Sequence, residues 1–138
     1  MTYFEKLDDY LSEEFSPDYW YDEAHIYAIE LLRKMTPNDW NQLKIEWRDR
    51  SSDWQERCAY ILSDADSSLA IPLLLEMLKS KNNEVVLTAA DALISIDIAK
   101  INLYLNRDVM ERLQLLSQNN PISKVIIDQL IKQIAVTV

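Results

Sequence analysis

AIPLLLEMLKSKNNEVVLTAADALISID, residues 70–97, is the stretch on which the fold turns. Ile71, Leu74 and Leu78 recur at helical spacing, Lys81–Asn82–Asn83 is a polar turn, and Val85, Ala89, Ala92 and Leu93 resume the period. Two amphipathic helices joined by a short turn are expected. The same pattern stands 31 residues upstream, the separation of Trp40 and Ile71. Trp40, Leu43 and Trp47 correspond to Ile71, Leu74 and Leu78, and Arg50–Ser51–Ser52 takes the place of the turn. Trp54, Cys58, Ile61 and Leu62 correspond to Val85, Ala89, Ala92 and Leu93, while Asp53 matches Glu84 and Ala59 matches Ala90. A helix pair cannot bury its apolar side alone, so pairs repeating at this period are expected to stack.

Working outward, Tyr3, Phe4, Leu7, Tyr10 and Leu11 fall on one side of a helix over residues 3–14. Ser16–Pro17 reads as an N-cap followed by proline in the first turn, and Thr36–Pro37 repeats the signal. Between them a helix runs to about Met35 with Tyr27, Ala28, Leu31 and Leu32 inward; the periodicity does not fix its boundary near residues 19–22. The helix after Thr36 is expected to extend through Trp47. Downstream, residues 98–105 suggest a short helix or turn, Val109, Leu113 and Leu116 share a helix face, and Ile122, Ile126, Leu130 and Ile134 mark a final helix. The reading is one all-α domain over residues 1–138, an α-solenoid of about four stacked hairpins at residues 2–35, 36–66, 67–97 and 98–138.

Composition narrows the function. The chain has no glycine, which excludes phosphate-binding loops, dinucleotide fingerprints and nucleophile elbows. One cysteine, Cys58, and one histidine, His25, cannot supply an ordinary zinc site, so neither metal nor cofactor is expected. Cys58 matches Ala89, which argues for a small buried residue at a helix crossing. Adjacent carboxylates such as Asp8–Asp9 and Asp22–Glu23 point about 100° apart on a helix and do not converge, so catalysis is not expected. The net charge is −9, and residues 1–30 carry nine acids against one base. Such a surface opposes nucleic-acid binding and suits a basic partner. No basic-then-apolar leader and no run of roughly 18 apolar residues occurs, so a cytoplasmic protein without a membrane partner is expected.

Pro72, Leu74, Leu78, Asn82–Asn83, Val85, Ala89 and Leu93 resemble a HEAT repeat. That pattern has a proline early in the first helix, leucines along it, a polar turn, then valine, alanine and leucine down the second. The family usually has a basic residue after the valine; Val86 and Gln55 stand there. The resemblance implies a HEAT-like protein-binding scaffold. As a small, acidic, glycine-free helical repeat, the chain also resembles the immunity proteins of bacterial contact-dependent toxin–immunity systems. This implies an immunity protein that neutralises a basic toxin domain, such as a nuclease, by covering its active site with an acidic surface. The alternative is a HEAT-like adaptor or scaffold in a bacterial complex. A HEAT-like enzyme such as a DNA-base glycosylase would need a basic cleft, which the charge map lacks.

The residues expected to meet the partner follow from charge, aromaticity and helix position. Twelve of the thirteen aromatics precede residue 61. Asp18, Trp20, Asp22, Glu23, Tyr27 and Glu30 come from the acidic, aromatic N-terminal segment, and tyrosine and tryptophan are favoured at binding hot spots. Glu23 and Glu30 again, with Glu56, Tyr60, Asp64, Asp91 and Ser95, occupy the outward positions of the second helices, which line the inner curve of HEAT-like solenoids, and together they are expected to make an acidic inner surface. Tyr60 and Asp91 are matched positions of the two repeats.

Overall fold

Side-chain caps set where the helices start. Thr2, Ser16, Thr36, Ser51, Asp66 and Asn82 each accept a hydrogen bond from a backbone N–H of the turn that follows. Such caps satisfy donors that the helix ladder cannot. A computed structural model describes residues 1–96, 110, 111, 113–115, 118, 124, 125 and 128–132. Within residues 1–96 the helices are α1 (Tyr3–Leu11), α2 (Pro17–Tyr19), α3 (His25–Arg33), α4 (Pro37–Glu46), α5 (Ser52–Leu62), α6 (Ser67–Met77) and α7 (Asn83–Ser95). A π-helical segment, Trp20–Ala24, joins α2 to α3, and a 3-10 turn, Trp47–Asp49, follows α4. The described chain is all-α, without a strand. No described residue has positive φ, in keeping with a chain that lacks glycine.

The repeat offset reappears in the caps. Ser51 and Asn82, which begin α5 and α7, are 31 residues apart; Thr36 and Asp66, which begin α4 and α6, are 30 apart. Every apolar position paired by the offset is buried, from Trp40 and Ile71 to Leu62 and Leu93. The helices α3, α5 and α7 lie in a row, α3 against α5 and α5 against α7. Helix α1 packs on α3, α4 and α5, and α6 packs on α5 and α7. Their buried faces form one core, which Leu113 and Leu130 also join. Most of the hairpin expected at residues 98–138, including residues 98–105, lies outside the described residues.

Two helices are shorter than their periodicity predicts, and side chains from α5 explain both. Helix α4 ends at Glu46, and Trp47 opens the 3-10 turn. The Gln55 amide donates to the carbonyls of Trp47, Arg48 and Arg50 at 3.0, 3.3 and 3.1 Å, satisfying the turn from the next helix. Gln55 holds the position that the 31-residue offset pairs with Val86. Helix α1 stops at Leu11, and Arg57 donates to the carbonyls of Leu11 and Glu13 at 2.9 and 2.7 Å. A cation suits the negative end of a helix.

Helix α1 is held by polar contacts as well as by its buried Phe4, Leu7 and Leu11. Arg50 grips Asp8 through two bonds of 2.8 Å, and the Trp54 indole N–H donates to the Asp8 carbonyl at 3.3 Å. Asp39, 4% exposed, completes the capping box with Thr36 and accepts from the Phe4 N–H at 3.3 Å. Burial opposes its charge, but the bonds from Thr36 and Phe4 outweigh that and hold its pKa below the usual carboxylate value. Among the described residues no helix is long and apolar enough to cross a membrane.

Candidate functional site

The row α3–α5–α7 carries a cavity of about 250 Å³. Helix α3 supplies His25; α5 and the residues just past it supply Tyr60, Ser63 and Asp64; α7 supplies Thr88, Asp91, Ala92, Ile94 and Ser95. Tyr60 and Asp91, the matched repeat positions, thus line one cavity, joined by the expected Asp64 and Ser95. Spacing explains the grouping: Asp91 and Ser95, four apart, share a face of α7, and Asp64, just past α5, follows Tyr60 by the same four residues.

The π-helical segment sets His25. The Trp20 carbonyl accepts from the His25 backbone N–H, a five-residue reach, and from His25 Nδ1 at 2.8 Å. A carbonyl only accepts, so Nδ1 carries a proton and Nε2 is the nitrogen left with a lone pair in the neutral ring. π-Helical turns are frequent at functional sites. The imidazole stands edge-on to Tyr60, with centroids 5.5 Å apart, and Tyr60 also meets Tyr21 at 5.1 Å and Trp20 at 6.2 Å.

Those rings lead to a second cavity of about 270 Å³ lined by Phe15, Pro17, Trp20, Tyr21, Asp53, Glu56 and Arg57. The Tyr21 hydroxyl donates to Glu56 Oε1 at 3.0 Å. Burial first, then this bond and the Glu56 charge, push the Tyr21 pKa up to about 12. Arg57 lies over Phe15 and Trp20 at 5.0 and 5.7 Å, so the same guanidinium that closes α1 also backs the cavity.

The other expected partner residues are placed differently. Trp20, expected to meet the partner, is 3% exposed and belongs to the core. Its indole is enclosed by Phe15, His25, Tyr60 and Arg57, contacts that no local pattern reveals. Tyr27, inward by periodicity, is 48% exposed and rests edge-on against Tyr10 at 4.8 Å. Asp18, Asp22, Glu23 and Glu30 are exposed and line neither cavity. His25, Thr88, Ser63 and Tyr21 were not among the expected partner residues. Thr88 and Ser63 were findable at helical spacing from Asp91 and Tyr60; His25 and Tyr21 depend on the π-helical register.

Chemically the face is suited to recognition. Among the described residues Asp64 and Asp91 make no ion pair, and neither lysine nor arginine lines the cavity. Cys58 is fully buried, and burial pushes its thiol pKa up, so it is not a poised nucleophile. Among the described residues no three metal-binding side chains converge. No protein-family model, curated protein or solved structure matches the chain.

Proposed function

We propose that the chain is a HEAT-like, non-enzymatic protein-binding module acting as a cytoplasmic immunity protein. Its partner is a basic toxin domain, of which a nuclease is the leading class, and the acidic surface covers that domain's active site. The observation that carries the reading is the meeting of Tyr60, Asp64 and Asp91 in a cavity lined by no basic residue among those described. The matched positions Tyr60 and Asp91 face it together, as stacked repeats would present them. The exposed Asp18, Asp22, Glu23 and Glu30 extend the negative field beyond the cavity. Long-range attraction would speed the encounter, and a few buried contacts would hold the complex.

The test is complex formation with the protein encoded beside this one, followed by titration calorimetry at rising salt. Binding that weakens steeply with salt supports the reading. Salt-insensitive binding removes the electrostatic mechanism, and absence of a complex removes the immunity assignment.

An adaptor is the second reading, and one observation favours it. A cavity of about 420 Å³ lies at the hairpin turns, where Arg48 and Lys79 both pair with Glu76 and Lys81 stands beside them. This basic edge would suit a second, acidic partner. Simultaneous binding of a basic and an acidic protein would favour the adaptor.

A further inference from the structure

We infer that the cavity between α3, α5 and α7 seats one arginine side chain of the basic partner. This rests on the partner reading above and specifies its anchor. The argument begins with where the cavity's own protons go. The Ser95 hydroxyl donates to the Ala92 carbonyl at 2.7 Å, and the Ser63 hydroxyl to the Tyr60 carbonyl at 3.4 Å. His25 commits its Nδ1 proton to the Trp20 carbonyl. Those donors are occupied, while the oxygens of Ser63 and Ser95 and the Nε2 lone pair of neutral His25 can still accept. Asp64 and Asp91 add two carboxylates, which are acceptors only when ionised. Tyr60 and Thr88 can serve either way. The described lining therefore accepts far more than it donates, which suits a ligand rich in donors and disfavours phosphate or carboxylate.

The helix ends add to this preference. Ser63 and Asp64 lie just past the end of α5, and Ile94 and Ser95 lie at the end of α7. Both helices end without a basic residue in the last turn, so nothing of their own offsets the negative ends of their dipoles. A cation in the cavity would offset both. Guanidinium fits better than ammonium for two reasons. Its planar fork can reach acceptors on separate helices at once. It also stacks on aromatic faces, and the Tyr60 and His25 rings stand at 87° to one another, so they present faces in two directions.

The probe is N-acetyl-arginine methylamide, titrated into the isotope-labelled chain and followed by amide chemical shifts. The neutral citrulline analogue and the lysine analogue are run beside it. The expected result is saturable shifting centred on residues 60–64 and 88–95, with arginine tighter than lysine and citrulline weaker by about tenfold or more. Asp91→Asn, at an exposed position, should weaken the arginine probe about tenfold with its thermal transition unchanged. Asp18→Asn removes the same charge outside the cavity and should leave the probe's affinity unaltered. The inference is overturned by no saturable shift, by shifts centred on the N-terminal acids, or by citrulline or lysine matching arginine. It is likewise overturned if Asp91→Asn and Asp18→Asn have equal effects. A chain that seats the probe but binds no basic protein would refute the partner reading alone. A partner complex indifferent to Asp91→Asn would refute the arginine seat alone.

Discussion

Arg57→Met is the most searching perturbation of the acidic N-terminal segment. The wild-type guanidinium donates to the carbonyls of Leu11 and Glu13 at 2.9 and 2.7 Å, and lies over Phe15 and Trp20. Methionine retains much of the apolar contact and loses the fork and the charge. Two charge-assisted bonds in a half-exposed setting contribute about 1 kcal/mol each, and the ring contacts about 0.5–1 kcal/mol together. The expected loss is therefore about 2–3 kcal/mol, or about 6–12 °C in Tm for a chain of this size. The damage should be local first. Hydrogen exchange at the Trp20 amide, which donates to the Ser16 carbonyl at 3.0 Å, should speed up by roughly thirtyfold or more. Lysine should recover less than half of the loss, because one ammonium can meet the Leu11 and Glu13 carbonyls but cannot also reach the Phe15 carbonyl, at 3.5 Å from the second guanidinium nitrogen, and cover two rings.

The substitution also takes the net charge from −9 to −10, which separates attraction from preorganisation. Association with a basic partner should be unchanged or slightly faster, while dissociation accelerates because the segment must be reordered. Wild-type exchange at the Trp20 amide together with an unchanged Tm would refute this account of how the segment is held.

Asp39→Ala should cost about 2–4 kcal/mol by removing the capping box and orphaning the Phe4 N–H, as measured by urea denaturation. Since the folded pKa of Asp39 is lowered, its contribution is full above about pH 4 and is lost as pH falls through the folded value, so the gap between wild type and variant should close in acid. Tyr21 should titrate near 12 by ultraviolet absorbance, and Glu56→Gln should bring it part of the way back toward 10.0. A tyrosine whose folded pKa is raised binds more protons folded than unfolded, so its contribution is full below about pH 10 and declines as pH rises toward 12. Cys58 should react with a thiol reagent only as fast as the chain unfolds, a rate obtainable from urea-jump kinetics, because it is fully buried and its pKa is raised.

The features legible in the sequence were those governed by local chemistry. Ser16–Pro17 and Thr36–Pro37 announce caps because the side chain, the proline and the orphan N–H groups lie within four residues of one another. The offset between Tyr60 and Asp91 placed two cavity residues together, because stacked helices of equal phase turn equivalent positions the same way. What escaped the pattern depends on distant partners. Trp20 sits among acids and aromatics that read as surface, and its burial depends on Tyr60 and Arg57, which are remote in sequence. The end of α4 is set by the Gln55 amide reaching back to the preceding turn. Asp39 signals its capping box with Thr36 locally, yet its bond to the Phe4 N–H spans 35 residues.

Under the proposed function the charge map and the cavity would make separable contributions to binding, which yields a last test. Most of the acid excess lies in residues 1–30, whereas the cavity's carboxylates are Asp64 and Asp91. At physiological salt, exposed charges act over a screening length of about 8 Å, so the N-terminal acids bear chiefly on approach. Contacts inside a cavity act after docking and govern how long the complex lasts. Replacing Asp18, Asp22, Glu23 and Glu30 together by their amides should slow association about tenfold and flatten its salt dependence, with dissociation little changed. Asp91→Asn should do the reverse, speeding dissociation about tenfold and leaving association near wild type. Stopped-flow mixing with the basic partner reads both rates. If the fourfold N-terminal variant alters dissociation as much as Asp91→Asn does, the acids at Asp18, Asp22, Glu23 and Glu30 are themselves contact residues, and the division between steering and seating is wrong.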